Sequence, residues 1–333
     1  MGLRIGVLGA TGAVGREMVK VIEEYGLEVD ELRLLASARS AGTAMEFRGE
    51  PVTVMEAAPD SFEGLDYVLG AVEKDQSKFF APHIVKSGAV FIDNSSAFRM
   101  DPDVPLVVPE INGDDALRNK GIVANPNCST IICCMAVAGI NMLSEIESMV
   151  VSTYQAVSGA GLAGITELED QVKAYAEGQE IVPSVFPAQI LMNVVPFIGS
   201  MTGNGYTDEE MKMQNEGRKI LHLPDLRATC TCVRVPVMRS HSLSVTVRTK
   251  RRVFVAEAEA AMDRFPGVRL AYDLRGRDYP TPMDTSGRDE VLVGRVREDL
   301  TDDRGLTIWC CGDQIRKGAA SNAVQIMRYL AEH

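Results

Sequence analysis

Residues 125–130 read NPNCST and lead directly into the apolar run IICCMAVAGINML. A cysteine at the first turn of a helix meets the positive end of the macrodipole and backbone N–H groups that lack helical partners. Both lower a thiol pKa and offer a site to an oxyanion, so Cys128 is a candidate nucleophile. The competing reading is a small buried residue, which is how Cys133 and Cys134, further along the same helix, are read. Four histidines are present, His83, His222, His241 and His333. Only His241 is flanked by hydroxyls, Ser240 and Ser242, at the expected start of a strand, and it follows Arg234 by seven residues in RVPVMRSH. That makes His241 the candidate acid/base group, while His222, after a helix, is read as a cap. Arg99 follows NSSAF in a loop after a parallel strand, at the edge where such folds bind ligands. Its alternative is a surface ion pair. Glu209 and Lys212 stand three apart on one helix face, so an ordinary helix ion pair competes with any role in binding.

A second chemistry is written at the N-terminus. GATGAVG, with Gly9, Gly12 and Gly15, follows the strand RIGVL and opens a helix, the context in which glycines let a helix N-terminus approach a pyrophosphate. The spacing is GxxGxxG in place of GxGxxG, and the alternative is a plain glycine-rich turn. After the second strand, where an NAD-binding fold presents an acid to the ribose 2′-hydroxyl, the chain reads ASARSAG. Ser37, Arg39 and Ser40 there suit a 2′-phosphate, which favours NADP over NAD.

These groups need a frame. LRIGVLG, VGREMVKVIEEYG, ELRLLAS, YVLGAV, AVFIDNS and GIVAN alternate strand and helix signals, the βαβ rhythm of a parallel sheet with helices on both faces. After Cys128 longer alternating strands take over, SMVVSTYQAV, ATCTCVRVPV, HSLSVTVRTK, EVLVGRVRE and LTIWCC, with helices such as AEAEAAMDRF between them. They predict an α+β domain on a mixed or antiparallel sheet. The fold class is therefore α/β, a Rossmann-type dinucleotide-binding domain over residues 1–127 completed by a C-terminal helical segment 312–333, and a catalytic domain over 128–311. Residues 183–206, rich in Pro, Gly and Asn, predict a long excursion or lid. The chain has 333 residues, 46% of them hydrophobic, enough for two cores. Its net charge of −12 offers no continuous basic face to nucleic acid, and RTKRR (248–252) reads as the solvated end of a strand. No secretion signal and no long uncharged apolar run is seen, and seven cysteines in an odd set suit reduced thiols, so the expected place is the cytoplasm. No metal site is expected, because paired CxxC knuckles are missing.

GATGAVG, ASARSAG, NSSAFRMDPDVPLVVPEIN, NPNCST, STYQAVSGAG, EEMKMQNEGRKIL, RVPVMRSHS and KGAASNAVQI, in order over nearly the whole chain, resemble aspartate-semialdehyde dehydrogenase. The resemblance implies NADPH-dependent reduction of L-aspartyl-4-phosphate to L-aspartate 4-semialdehyde and phosphate. That step precedes lysine (by way of diaminopimelate), methionine and threonine synthesis. By the same resemblance Cys128 accepts the acyl group and His241 is the acid/base. Arg234 grips the substrate α-carboxylate, Gln155 orients the substrate, Glu209 meets its ammonium, and Arg99 with Lys212 holds the phosphate. Gly9, Thr11, Gly12, Ala13, Val14, Ser37, Arg39 and Ser40 would contact NADP, with Ser158, Gly159, Gln314 and Asn322 on the nicotinamide side. Many members place Lys where this chain has Thr43, which would weaken the 2′-phosphate grip.

Three rival readings remain at this point. N-acetyl-γ-glutamyl-phosphate reductase shares the reaction type but typically reads NPGC, where Asn127 gives NPNC here, and Glu209 suits a free amine. Glyceraldehyde-3-phosphate dehydrogenase lacks the RSAG and SSAFR elements. A non-catalytic paralogue would not need Cys128, Gln155, Arg234 and His241 together. Too few helices follow Cys128 to cover both faces of the second sheet, so a homodimer, in some members a tetramer, is expected.

Overall fold

The computed structural model describes residues 2–274 and 276–333. The chain divides into two compact units, Met1–Asn127 with Ala319–His333, and Cys128–Gly318.

The first unit runs β1 (Leu3–Leu8), α1 (Ala13–Glu24), β2 (Val29–Ala36), β3 (Ala44–Phe47), β4 (Glu50–Glu56), β5 (Tyr67–Gly70), α2 (Lys74–Lys86), β6 (Val90–Asp93), α3 (Pro109–Asn112) and β7 (Ile122–Ala124). Its sheet has the order β3-β4-β2-β1-β5-β6-β7. All neighbours are parallel except β3, which pairs antiparallel with β4 at the edge. The central strands bury both faces: Ile5, Val7, Leu8, Leu34, Leu35, Leu69 and Ile92 lie within 1% of full burial, which is why they read as continuous apolar runs. The helix α1 turns Met18, Val19, Val21 and Ile22 inward, the spacing of one helical face. Strand order reverses at β1, with β2 on one side and β5 on the other, and the loop after β1 opens at that switch point.

The second unit runs α4 (Cys128–Leu143), β8 (Ile146–Gln155), α5 (Gly161–Ala176), α6 (Asp208–Ile220), β9 (Arg227–Arg234), β10 (His241–Thr249), α7 (Val255–Arg264), β11 (Val268–Leu270), α8 (Pro282–Thr285), β12 (Val291–Glu298) and β13 (Gly305–Gly312). Its six strands are ordered β11-β12-β13-β10-β8-β9 and mix parallel outer pairs with antiparallel central ones. Helix α4 is apolar all round, buried from Ser129 to Ile140, so it must lie inside. Gly139 lets α7 approach, since a Cβ there would meet the Ala261 and Met262 backbone at 2.9 Å. Alternate residues of β8, Met149, Val151 and Thr153, are buried, while Val150 and Tyr154 of the opposite face are exposed. Residues 177–206 contain no helix or strand. The excursion predicted for residues 183–206 lies within this stretch. RTKRR ends β10, with residues 250–252 exposed.

A π turn, Arg316–Ala320, precedes the last helix, α9 (Ser321–Glu332). The helical signal of QIRKGAASNAVQIMRYLAEH therefore corresponds to a wider turn followed by a shorter α-helix. Residues 313–318 belong with the second unit, and α9 packs on α1 in the first.

Candidate active site

In the second unit Cys128 is the first residue of α4, and its Sγ lies 3.4 Å from His241 Nε2. His241 opens β10 and is fully buried. Its other nitrogen, Nδ1, accepts the Ala156 backbone N–H at 3.1 Å. An accepting Nδ1 must keep its lone pair, so the neutral ring carries its proton on Nε2, toward the sulfur. Burial, then the Arg234 guanidinium, pushes the His241 pKa down to about 3, against a smaller opposing effect of Glu209. The imidazolium is thus strongly disfavoured while the site has this geometry.

Arg234 ends β9, 6% exposed, and its Nη1 donates to the Ala156 carbonyl at 2.7 Å. One peptide residue therefore grips the imidazole with its N–H and the guanidinium with its C=O. The guanidinium sits 5.7 Å over the Phe186 ring. Burial lowers the Arg234 pKa, opposed by Cys128 and Glu209; an anion arriving beside it would relieve that cost. Gly159 lies against both groups, because a Cβ would stand 2.7 Å from Arg234 Nη1 and 3.2 Å from His241 Cε1. On the other side of Cys128, a Cβ on Gly318 would come within 2.8 Å of the cysteine Cβ.

Beside this group runs a polar chain. Thr153 Oγ1 donates to Gln155 Oε1 at 3.0 Å, Gln155 Nε2 donates to Glu209 Oε1 at 3.2 Å, and Lys212 Nζ donates to Glu209 Oε2 at 2.8 Å. Glu209 and Lys212 are indeed the helix pair that their spacing suggests, and Glu209 also reaches Gln155. Helix α6 starts on a capping box between Thr207 and Glu210, which fixes the first turn that carries Glu209. Ser158 and Gln314 are joined, the Gln314 amide donating to Ser158 Oγ.

In the first unit, Gly9 has φ +85° and no room for a side chain, since a Cβ would lie 2.4 Å from the Ala71 carbonyl. Gly15 is equally bound to its size, with the Gly9 carbonyl 2.2 Å from the Cβ position. The loop Gly9–Gly12 therefore lies tight against the sheet and delivers Ala13 and Val14 as the opening residues of α1. Thr11 Oγ1 donates to Ser40 Oγ at 3.3 Å, tying this loop to the 37–40 turn, where Ser37 and Arg39 are exposed. Arg99 is 8% exposed, its Nε on the Asn125 carbonyl at 3.0 Å and its Nη2 on that of Asn94 at 2.7 Å. The Asn322 amide nitrogen donates to Val107 O and Asn125 Oδ1, so it braces the NPNC segment from within.

Residues 4–119 match the family described as "Semialdehyde dehydrogenase, NAD binding domain", and residues 138–317 match "Semialdehyde dehydrogenase, dimerisation domain". The aspartate-semialdehyde dehydrogenase of Aquifex aeolicus is 47% identical over 336 residues, covering 100% of this chain and 99% of that protein. The chain belongs to the aspartate-semialdehyde dehydrogenase family. The Synechocystis sp. member is 46% identical over 330 residues, 99% of this chain and 98% of its own. The crystal structure of aspartate semialdehyde dehydrogenase II from Vibrio cholerae, complexed with ASA, superposes with a TM-score of 0.95 at 40% identity, covering 100% of this chain and 99% of that one.

Several residues that shape the candidate site of the second unit carry no sequence signal. Ala156 acts only through its peptide group. Glu167, 4% exposed on α5, accepts Ser184 N at 3.2 Å, Ser184 Oγ at 3.1 Å, Phe186 N at 3.2 Å and the Val185 N–H, and so ties down the loop that carries Phe186 under Arg234. Asp313, fully buried, accepts Arg239 Nε and Gly287 N at 2.6 Å, Ile315 N at 2.9 Å and Arg316 N at 3.1 Å. Nothing local to CGDQI pairs it with Arg239, which stands 74 residues away.

Proposed function

We propose that this chain reduces L-aspartyl-4-phosphate to L-aspartate 4-semialdehyde and phosphate through a Cys128 thioester, with NADPH as reductant. The observation that carries the reading is the pair Cys128 Sγ and His241 Nε2 at 3.4 Å, with Arg234 sharing the Ala156 peptide with that histidine. The Cys128 thiolate attacks the acyl carbon, and the carbon–oxygen bond to phosphate breaks. Arg99 and Lys212 are assigned to that phosphate. Arg234 presents a fork to the α-carboxylate, and Glu209 meets the ammonium, with Gln155 holding Glu209 in place. When bound, the dinucleotide supplies the hydride that turns the thioester into a thiohemiacetal. His241 holds the oxyanion at that carbon with its Nε2–H, and as the oxyanion collapses to the carbonyl the carbon–sulfur bond breaks, which frees the aldehyde and restores the thiolate under the same Nε2–H.

The glycine cradle of residues 9–15 fits a pyrophosphate, and the exposed Arg39 between Ser37 and Ser40 fits a 2′-phosphate, which supports NADP over NAD. Ser158, Gly159, Gln314 and Asn322 are assigned to the nicotinamide side. A homodimer through the exposed face of the second sheet, where Val150 is 57% exposed, is part of the same reading, as is a cytoplasmic place at the head of lysine, methionine and threonine synthesis. The decisive test is phosphate-dependent oxidation of aspartate semialdehyde with NADP, run on wild type and Cys128→Ser. We expect turnover only in the wild type, with NADP binding retained in both. Substantial activity of Cys128→Ser, or preference for N-acetylglutamate semialdehyde, would overturn it.

A further inference from the structure

Ser240, immediately before His241, is fully buried and has φ +74°. That left-handed conformation is rare for a residue with a Cβ and persists only where its surroundings enforce it. The Ser240 N–H donates to Gln314 Oε1 at 2.7 Å, and the Gln314 amide nitrogen donates to Ser158 Oγ. Ser158 belongs to the turn that starts at Ala156, whose N–H holds His241 Nδ1. One amide thus spans the two segments that fix the imidazole: it holds the Arg239–Ser240 peptide, and a change of φ at Ser240 would turn the ring away from Cys128. The neighbouring Arg239 is held separately, by Asp313, so this loop has an anchor besides Gln314.

We propose that Gln314 is a positioning residue for His241: by accepting the Ser240 N–H it keeps Ser240 left-handed and so sets the imidazole between Ala156 and Cys128. The proposal rests on reading Cys128 and His241 as the reacting pair, and it gives Gln314 a task apart from any contact with nicotinamide. The groups facing the ring are Cys128 from α4, Arg234 from β9 and Glu209 from α6.

The test is a double-mutant cycle of Gln314→Met and Ser240→Gly, since glycine adopts φ +74° without strain. Gln314→Met should lower kcat about tenfold in the wild-type background and about threefold or less beside Ser240→Gly, a coupling expected of residues that act through one backbone bond. NADPH affinity, followed by fluorescence titration, reports any nicotinamide contact separately: a fall should be the same factor in both Ser240 backgrounds, and kcat is read at saturating NADPH. Independently of activity, 15N spectra of histidine-labelled protein, with His241 assigned from His241→Asn, should show one Nε2–H tautomer in wild type and a mixture in Gln314→Met. Gln314→Glu, which keeps an acceptor for Ser240 N–H, should restore the single tautomer, and stands against wild type by itself should Gln314→Met not fold. Additive losses of kcat at saturating NADPH, or an unchanged tautomer in Gln314→Met, would each overturn the proposal, as would a tautomer mixture in Gln314→Glu. A wild type that does not oxidise aspartate semialdehyde would refute the functional reading alone, because the tautomer measurement still decides the role of Gln314.

Discussion

His241 should make the folded protein sensitive to mild acid, and the size of the effect follows from its surroundings. Its pKa is pushed down to about 3 by burial and by Arg234, whereas in an unfolded chain it returns to about 6.5. Between those values the unfolded chain binds a proton that the folded chain refuses, so stability falls as pH falls, by up to about 1.4 kcal/mol per pH unit. From pH 7 to pH 5 this amounts to about 2 kcal/mol, and below pH 3 the full loss is about 5 kcal/mol. The assay is urea unfolding of wild type and His241→Asn at pH 7 and pH 5, at one protein concentration. Carboxylates and the other histidines titrate in both proteins, and the constant cost of losing the Nδ1 bond cancels in the comparison. Wild type should lose about 2 kcal/mol more than the variant over this interval. Equal losses would show that the folded site accepts the imidazolium, and the assignment of the resting proton to Nε2 alone would fail with it.

Gly318→Ala places a methyl 2.8 Å from the Cys128 Cβ; steady-state assays should show kcat/KM reduced by about tenfold or more while NADPH binding persists, since a misplacement of under 1 Å suffices for such losses. An unaffected rate would mean that α4 can shift without consequence for the chemistry. Arg39→Asp should move the ratio of catalytic efficiencies from NADP toward NAD, and an unchanged ratio would leave Arg39 a surface residue. Light scattering on size exclusion should give a species of at least twice the 36.2 kDa chain mass; a fully active monomer would show that the exposed face of the second sheet needs no cover.

The frame was readable because it is encoded locally. RIGVL followed by GATGAVG states a strand, a tight turn and a helix within fifteen residues, and the Cβ positions at Gly9 and Gly15 show why those glycines admit no substitute. The alternation in SMVVSTYQAV likewise gives one buried and one exposed face, as Met149 and Val151 against Val150 and Tyr154 display. The end of the chain was less legible: KGAAS has helical composition, yet Arg316–Ala320 forms a π turn, and the wider turn places Gly318 where only a hydrogen fits against Cys128. Helical propensity distinguishes poorly between an α turn and a π turn of the same residues, and the contact that decides lies far off in sequence.

What the sequence withholds about the site is of one kind. Side chains that touch a reacting group carry their chemistry in their residue type, so a thiol at a helix start or an imidazole between hydroxyls stands out. The groups that aim them are peptide atoms and distant acids or amides. Ala156 orients both His241 and Arg234, yet any residue with a peptide N–H and C=O could make those two bonds. Gln314 acts on Ser240 from 74 residues away, and Glu167 reaches the Phe186 amide across 19. Such pairings depend on register between β10 and β13 and on where a loop crosses a helix. Composition fixes neither, because register is set by the summed fit of a whole strand face. The precision of the Cys128–His241 contact therefore depends on bonds that no short motif spells out, which is why variants at Gln314, Ser240 and Gly318, whose residue types announce no such task, should disturb the chemistry as surely as variants within NPNCST.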